Sequence, residues 1–313
     1  MAASVPSPDL PAVTVPVVLP PGVEFSFAAL AAQIAVEAGA LVRDFYNSAV
    51  ATEYKGEVDL VTEADRASER LIVERLHKHF PGHGIYGEEG TRDRIDNEYR
   101  WYIDPLDGTT NFAHRYPVFC VSMGLEHRPP SLAADQDGTI IAGVIYDPTR
   151  EELFVAEKGS GAYLNGRRIR VSTTDDLGEG LLATGFPSRK RHENPNIHFY
   201  QQITLRSHGV RRAGSAALDL AYVACGRFDG YWEFNLNPWD TSAGALLVEE
   251  AGGLITRFDG SSFELNSREL LATNALLHPV LKSLFEDMFA GRDLEPILTP
   301  AQFAARRAER VGS

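Results

Sequence analysis

Trp101-Tyr102-Ile103-Asp104-Pro105-Leu106-Asp107-Gly108-Thr109-Thr110-Asn111-Phe112 is the most informative stretch of the chain. An apolar run of strand character ends in Asp104, Pro105 takes the chain out of the ladder, and Asp107 meets a glycine that permits a tight turn. Two carboxylates are thereby held close together at a strand end. The Leu106 carbonyl, released from sheet pairing, becomes available as a third oxygen ligand. Mg²⁺ prefers carboxylate, carbonyl and water oxygens, and acids crowded into a small turn repel one another unless a cation sits among them. A surface Asp-Pro turn followed by an Asp-Gly turn would read the same way, so the rest of the chain has to separate the two.

Upstream, Ser26 is a plausible N-cap for a helix over 27–46 with Leu30, Ile34, Ala38 and Leu41 on one face. A second helix is predicted over 63–80, with Ala64, Ala67, Leu71, Leu76 and Phe80 inward and Pro81-Gly82 ending it. Strand patterns follow at 84–87, 101–103, 119–125, 139–146, 153–156 and 181–183. Asn165-Gly166 suits a tight hairpin turn. Helical spacing returns over 197–206, 215–225 and 239–251, with strands over 228–234 and 254–258. Helices and strands in mixed order, with antiparallel hairpins, indicate layered α and β elements and not a simple βαβ array. Residues 1–24 hold Pro6, Pro8, Pro11, Pro16, Pro20 and Pro21 among small residues, which favours an extended or disordered arm. Residues 285–313 form a C-terminal extension in which 301–307 has helical character.

With 313 residues and 44% hydrophobic content, the chain can bury one large core or two closely joined ones. A formal net charge of −13 argues against broad binding to nucleic acid or anionic membranes. A small anionic substrate would then need a local positive centre, which a metal supplies. Cys120 and Cys225 are the only cysteines and form no CxxC pair, so a reduced cytoplasmic setting without a disulfide is expected. Neither a signal peptide nor an apolar run of membrane-spanning length is visible, so no membrane association is expected.

Three further acidic elements accompany the opening stretch. Gly87-Glu88-Glu89-Gly90 places acids at the end of a short strand, although a solvated loop would look alike. Asn237-Pro238-Trp239-Asp240 begins a helix with Asn237 as cap, which puts Asp240 near the positive end of the helix dipole. Asp59-Leu60-Val61-Thr62-Glu63-Ala64-Asp65 enters the second helix with Thr62 and Asp65 spaced as a capping box. Capping accounts for Thr62 and leaves Asp65 open to another role.

In combination and in this order, these pieces closely resemble the inositol monophosphatase family of Mg²⁺-dependent, lithium-sensitive phosphatases. The matching segments are DLVTEAD at 59–65, GEEG at 87–90, WYIDPLDGTTNFAHRYP at 101–117, RRAGSAALDLAYVACGRFDGYWE at 211–233 and PWDTSAGALLVEEAGG at 238–253. The resemblance implies an α/β, αβαβα layered sandwich of the inositol monophosphatase and fructose-1,6-bisphosphatase type. An N-terminal α+β part over 25–160 and a C-terminal α/β part over 161–284 would share the cleft. It also implies two or three Mg²⁺ ions per subunit and a homodimer.

By the same resemblance, Glu88, Asp104 and the Leu106 carbonyl would hold one Mg²⁺, and Asp104, Asp107 and Asp240 a second. Asp65 and Thr109 would activate a water. Gly108 and Thr109 would meet the phosphate together with Asp107, and Gly214, Ser215, Ala216, Glu233 and Asp240 would meet the polyol. Ser215 also reads as a helix N-cap, and Lys55 and Glu89 as outer groups or surface residues. His114 reads as a structural residue rather than a general acid. Arg115 stands where many relatives carry glycine and others a basic residue, and residues 127–138 lengthen a hairpin loop. The expected activity is hydrolysis of myo-inositol 1-phosphate or a related polyol phosphate. Histidinol phosphate, fructose 1,6-bisphosphate and adenosine 3′,5′-bisphosphate remain alternative substrates, and a regulatory role in the transcription machinery is an alternative of another class.

Overall fold

A computed structural model describes residues 26–48, 52–54, 60–133, 136–186, 195–292 and 294–311. The proline-rich arm over 1–24, Lys55 and Asp59 lie outside them. In chain order the first elements are α1 (Phe27–Asn47), β1 (Thr52–Tyr54), β2 (Leu60–Thr62) and α2 (Glu63–His79). Then come β3 (Gly84–Gly87), β4 (Arg92–Asp93), β5 (Tyr99–Asp107), the short helix α3 (Thr109–Ala113), β6 (Cys120–His127), β7 (Thr139–Asp147), β8 (Glu152–Glu157), β9 (Gly161–Leu164) and β10 (Arg167–Arg168). The C-terminal half holds β11 (Leu181–Thr184), α4 (Asn196–Thr204), β12 (Gly209–Arg211), α5 (Ala216–Ala224), β13 (Gly230–Phe234), α6 (Pro238–Glu250), β14 (Leu254–Thr256), β15 (Glu269–Thr273), α7 (His278–Ala290) and α8 (Pro300–Val311).

Two large sheets organise most of these elements, and β1 pairs with β2 in a separate two-stranded ribbon. One has eight strands in the order β10-β9-β8-β7-β6-β5-β3-β4, antiparallel except for the β3–β5 pair. The other has five in the order β12-β11-β13-β15-β14, with β11 parallel to both of its neighbours. Strand side chains alternate between faces, and the buried sets divide accordingly. On β6 and β7, Val121, Met123, Val144 and Tyr146 face α1 and α2, whereas Cys120 and Ile145 face α5 and α6. On β13, Tyr231 faces α5 and α6 while Trp232 packs with Phe199 of α4 and Phe285 of α7. The layers therefore run α1/α2, first sheet, α5/α6, second sheet, α4/α7, the expected αβαβα sandwich.

Most predicted elements are present, with shifted ends. Ser26 caps α1 by accepting from the Ala29 amide at 3.2 Å. The Asn165-Gly166 turn joins β9 to β10 with both residues at positive φ, 48° and 74°, as that hairpin type demands. Three expectations need correction. The α1 face is shifted in part: Ile34 and Ala38 are buried as expected, together with Ala28, Ala31, Ala35 and Val42, while Leu30 and Leu41 are only half-buried. On α2 the inward stripe is Ala64, Asp65, Ser68, Glu69, Ile72 and Leu76 in place of Ala67 and Leu71. Its first half turns polar groups inward because it abuts the acidic loops. Finally, Pro105 does not end the strand, because β5 continues to Asp107 through a bulge.

The middle layer lies close against the first sheet. A methyl group at Gly143 on β7 would stand 2.8 Å from the Ala243 carbonyl oxygen and 3.0 Å from its Cα, both backbone atoms of α6. Replacing Gly143 with Ala must push α6 outward. Urea unfolding of Gly143→Ala is expected to show a loss of about 1–3 kcal/mol; wild-type stability would contradict the close contact.

Candidate active site

The acidic residues come from separate elements and are brought together by pairing register. β3 runs parallel to β5 with Gly87 opposite Ile103, and the Glu88 amide donates to the Ile103 carbonyl at 3.0 Å. Glu88 therefore leaves its strand beside Asp104. On the other side, β5 pairs Asp104 with Ser122 and Asp107 with Cys120 of β6, so Pro105 and Leu106 together oppose Val121 alone. This bulge turns the Leu106 carbonyl out of the ladder, as the opening stretch suggested. The Leu106 amide donates to Asp104 Oδ1 at 3.0 Å, and Ser68 Oγ donates to the Pro105 carbonyl at 2.9 Å.

Past the bulge, Gly108 adopts φ 101°, and a Cβ there would stand 2.8 Å from the Val118 carbonyl. Only glycine serves both demands. It starts α3 so that Thr109 Oγ1 lies 2.9 Å from Asp65 Oδ1 and 3.1 Å from the Leu106 carbonyl. Asp65 divides its oxygens. Oδ2 accepts the Thr62 amide at 2.8 Å and the Thr62 hydroxyl at 2.5 Å, completing the capping box, while Oδ1 serves Thr109.

Asp107 is held from the C-terminal half. Its Oδ2 accepts from Ser215 Oγ and from the Ala217 amide, each at 2.7 Å, at the start of α5. Ser215 is thus both the expected N-cap, accepting from the Leu218 amide at 3.4 Å, and a partner of Asp107. Asn111, to which no role was assigned, staples the halves by donating to Val118 O at 2.7 Å, Ala213 O at 2.9 Å and Gly214 O at 3.3 Å. Asp240 sits in the first turn of α6, where the Asn237 amide donates to its Oδ2 at 2.7 Å. Glu233 is buried on β13 and accepts from the Tyr231 hydroxyl, two residues back on the same face, at 2.5 Å.

Burial and, after it, charge crowding set the protonation of this cluster. Burial, then repulsion from Glu88, Asp107 and Asp240, holds Asp104 well above the usual carboxylate range. Burial pushes Asp240 up to about 7, with Asp107 adding to it. Burial also raises Asp107, against the bonds from Ser215 and α5. Glu233 is pushed up to about 8 by burial, opposed by the Tyr231 hydroxyl and reinforced by Asp240 and Asp107. The two helix starts temper this repulsion, because α5 and α6 direct their positive ends at Asp107 and Asp240.

Among the described residues, no group of three or more His, Cys, Asp and Glu side chains stands in a ready-made metal-holding arrangement. Asp104 instead hydrogen-bonds to Glu88 and to Asp240. The donor set nevertheless suits a hard divalent cation, being all oxygen, and the charges acting most strongly on Asp104 are all acids. A cation among them would relieve the repulsion that otherwise retains protons.

Every site residue predicted from the sequence falls within or beside this junction, while the outer candidates diverge. His114 is exposed at the end of α3. Arg115 takes φ 59°, a left-handed conformation that explains why glycine suits the position, and its guanidinium lies 5.4 Å from the Tyr46 ring centroid, toward the end of α1. The Glu89 amide is held by Glu69 at 2.8 Å. Sequence reasoning missed Ser68, Glu69, Asn111 and Tyr231. The first two follow Asp65 at helical spacing, a signal that a search for apolar periodicity passes over.

Both cysteines are free thiols, Cys120 buried and Cys225 half-buried. No described helix is long and apolar enough to cross a membrane.

Comparison with known proteins agrees with this architecture. Residues 25–288 match the model of the inositol monophosphatase family. An inositol-1-monophosphatase of Synechocystis sp. is 43% identical over 288 residues, covering 90% of this chain and 93% of that protein. The Nus factor SuhB of Pseudomonas aeruginosa is 46% identical over 231 residues, covering 72% and 82%. The solved inositol monophosphatase from Anabaena (Nostoc) sp. superposes with a TM-score of 0.74 at 43% identity, covering 87% of this chain and 97% of that one. With the family match spanning the whole sandwich, the chain belongs to the inositol monophosphatase family of Mg²⁺-dependent phosphomonoesterases.

Proposed function

We propose that this chain hydrolyses myo-inositol 1-phosphate, or a close polyol phosphate, to the free polyol and inorganic phosphate. The observation that carries the substrate half is Glu233, a buried acceptor on β13 that lies within electrostatic reach of Asp107 and Asp240. A hydroxyl-rich leaving group would meet it next to the acids that handle phosphate.

Glu88, Asp104, the Leu106 carbonyl, Asp107 and Asp240 would hold the Mg²⁺. When bound, Mg²⁺ supplies neutralisation of phosphate charge and acidifies a coordinated water. The rest of the work falls to the chain itself. Thr109 donates its hydroxyl proton to Asp65, which leaves its oxygen free to accept a proton from an attacking water. Burial raises Asp65, so it holds that proton better than an exposed aspartate. Gly108 and Thr109 lie at the start of α3 to receive phosphate oxygens, while Gly214, Ser215 and Ala216 border the polyol. Ser215 adds a second task by orienting Asp107. His114 is exposed, so water protonates the leaving alkoxide in this reading.

A second reading, a regulatory partner of the transcription machinery, is favoured by the name Nus factor on a close relative. A pull-down with Asp104→Asn protein that enriches a specific partner would support it, and an empty pull-down would count against it.

Steady-state phosphate release should require Mg²⁺, be inhibited by Li⁺ and vanish in Asp104→Asn. Asp65→Asn is expected to lose about 10²–10⁴-fold in kcat. Undiminished turnover in either variant contradicts the site. Across myo-inositol 1-phosphate, histidinol phosphate, fructose 1,6-bisphosphate and adenosine 3′,5′-bisphosphate, the first should give the highest kcat/KM, and a clear win for another displaces the substrate assignment.

The pH dependence of stability follows from Glu233. Its carboxyl is raised from 4.5 to about 8, so the folded chain binds that proton more tightly than the unfolded chain. The resulting stabilisation is complete below the unfolded value and is lost as pH climbs through the folded one. In chelator, wild type should therefore lose stability relative to Glu233→Gln between about pH 5 and about pH 9. A difference that stays constant in urea unfolding at the two pH values contradicts the buried, proton-retaining Glu233.

A further inference from the structure

The polar stripe of α2 reaches three different parts of the candidate site. Asp65, Ser68 and Glu69 lie at i, i+3 and i+4, on one helix face, and are 0%, 0% and 5% exposed. Asp65 holds Thr109, and Ser68 holds the Pro105 carbonyl inside the β5 bulge. Glu69 bonds to the turn after β3. Its Oε2 accepts the Glu89 amide at 2.8 Å, and its Oε1 accepts the Thr91 amide at 3.1 Å and the Thr91 hydroxyl at 2.6 Å. All three donors come from the turn that carries Glu88.

This grip is close-fitting. A methyl at Gly87 would stand 2.8 Å from the Glu69 carboxyl carbon, so the residue before Glu88 must be glycine for the carboxylate to approach. Across the turn, Arg92 donates to the Gly87 carbonyl and, at 2.8 Å, to the Thr91 carbonyl, with its guanidinium 3.7 Å from the Tyr86 ring centroid. A carboxylate this buried is costly unless charge-assisted hydrogen bonds compensate it. Both of its oxygens are engaged by the turn, which leaves the turn little freedom to move relative to α2.

We propose that Glu69 is a positioning residue for the divalent-cation site, fixing the turn that aims Glu88 beside Asp104. It rests on the metal reading given above. Glu69 does not touch the cation or the substrate; it acts through the Glu88 turn. A glutamine at this position keeps the volume but presents an NH₂ group to at least one backbone N–H, so the turn loses an acceptor and loosens. The consequence falls on cation affinity and not on recognition of the polyol, which Glu233 and the start of α5 handle on the opposite side of the junction.

The test compares Mg²⁺-dependent thermal unfolding of wild type and Glu69→Gln, each as the full chain without substrate, alongside phosphate release. The Mg²⁺ concentration for half-maximal stabilisation is expected to rise about 10- to 100-fold in Glu69→Gln. Excess Mg²⁺ should restore kcat with an unchanged substrate KM. An unaltered Mg²⁺ midpoint overturns the proposal, as does a loss of kcat that excess Mg²⁺ does not restore. Thr91→Val removes only one of the three donors and gives the same answer if Glu69→Gln fails to fold: a smaller displacement of the midpoint supports the assignment, and no displacement overturns it. If wild type itself shows no Mg²⁺-dependent stabilisation, the metal reading fails and the inference falls with it, an outcome distinct from a wild-type response that Glu69→Gln merely shares.

Discussion

The mutual repulsion of buried Asp104 and half-buried Glu88, Asp107 and Asp240 at the junction of the two halves is the constraint around which the structure is arranged. Asp104 lies at its centre, held well above the usual carboxylate range by burial and by all three neighbours. Their convergence needs a parallel β3–β5 pair for Glu88, a bulge for Asp104 and Asp107, and an α6 pressed close against the first sheet for Asp240. Each is a local departure from the plainest packing, and together they place like charges where water is scarce. Such an arrangement costs stability unless something positive enters, which is the usual signature of a functional cluster.

The fold offsets part of that cost by itself. The starts of α5 and α6 point amides at Asp107 and Asp240, and Asn237 closes the α6 cap. Asn111 ties the bulge side to the loop before α5, so neither half can withdraw without breaking hydrogen bonds to Ala213 and Gly214. The polar stripe of α2 works within the first half, holding Thr109, the β5 bulge and the turn that carries Glu88. Rigidity here has a chemical purpose, since ligands held in a fixed geometry need not reorganise when a cation or a phosphate arrives.

Much of this was legible in the sequence because the acids sit in stretches with strong local punctuation. The Asp-Pro-Leu-Asp-Gly run, the Asn-Pro start of α6, the Thr62 cap and the Asn165-Gly166 hairpin all depend on neighbours only a few residues away. What escaped depends on distant partners. The strand β12 pairs only through β11, and β15 lies between β13 and β14, so neither has an alternating pattern that declares its place. The helix α7 runs across residue 284, where the sequence suggested that the C-terminal extension begins. The inward face of α2 is not visible to apolar periodicity, because its buried members include Asp65, Ser68 and Glu69, which that pattern assigns to solvent. Pro105 does take the chain out of the ladder, but the bulge lets β5 resume pairing at Asp107.

Diffraction from crystals grown with Mn²⁺ in place of Mg²⁺ would test the central claim most directly, because the anomalous signal locates the cation without assumption. An anomalous peak among Glu88, Asp104, Asp107 and Asp240, with the Leu106 carbonyl directed at it and the Asp104 bonds to Glu88 and Asp240 opened, is the predicted result. A cluster without a peak, its carboxyl groups still paired with one another, would contradict the account.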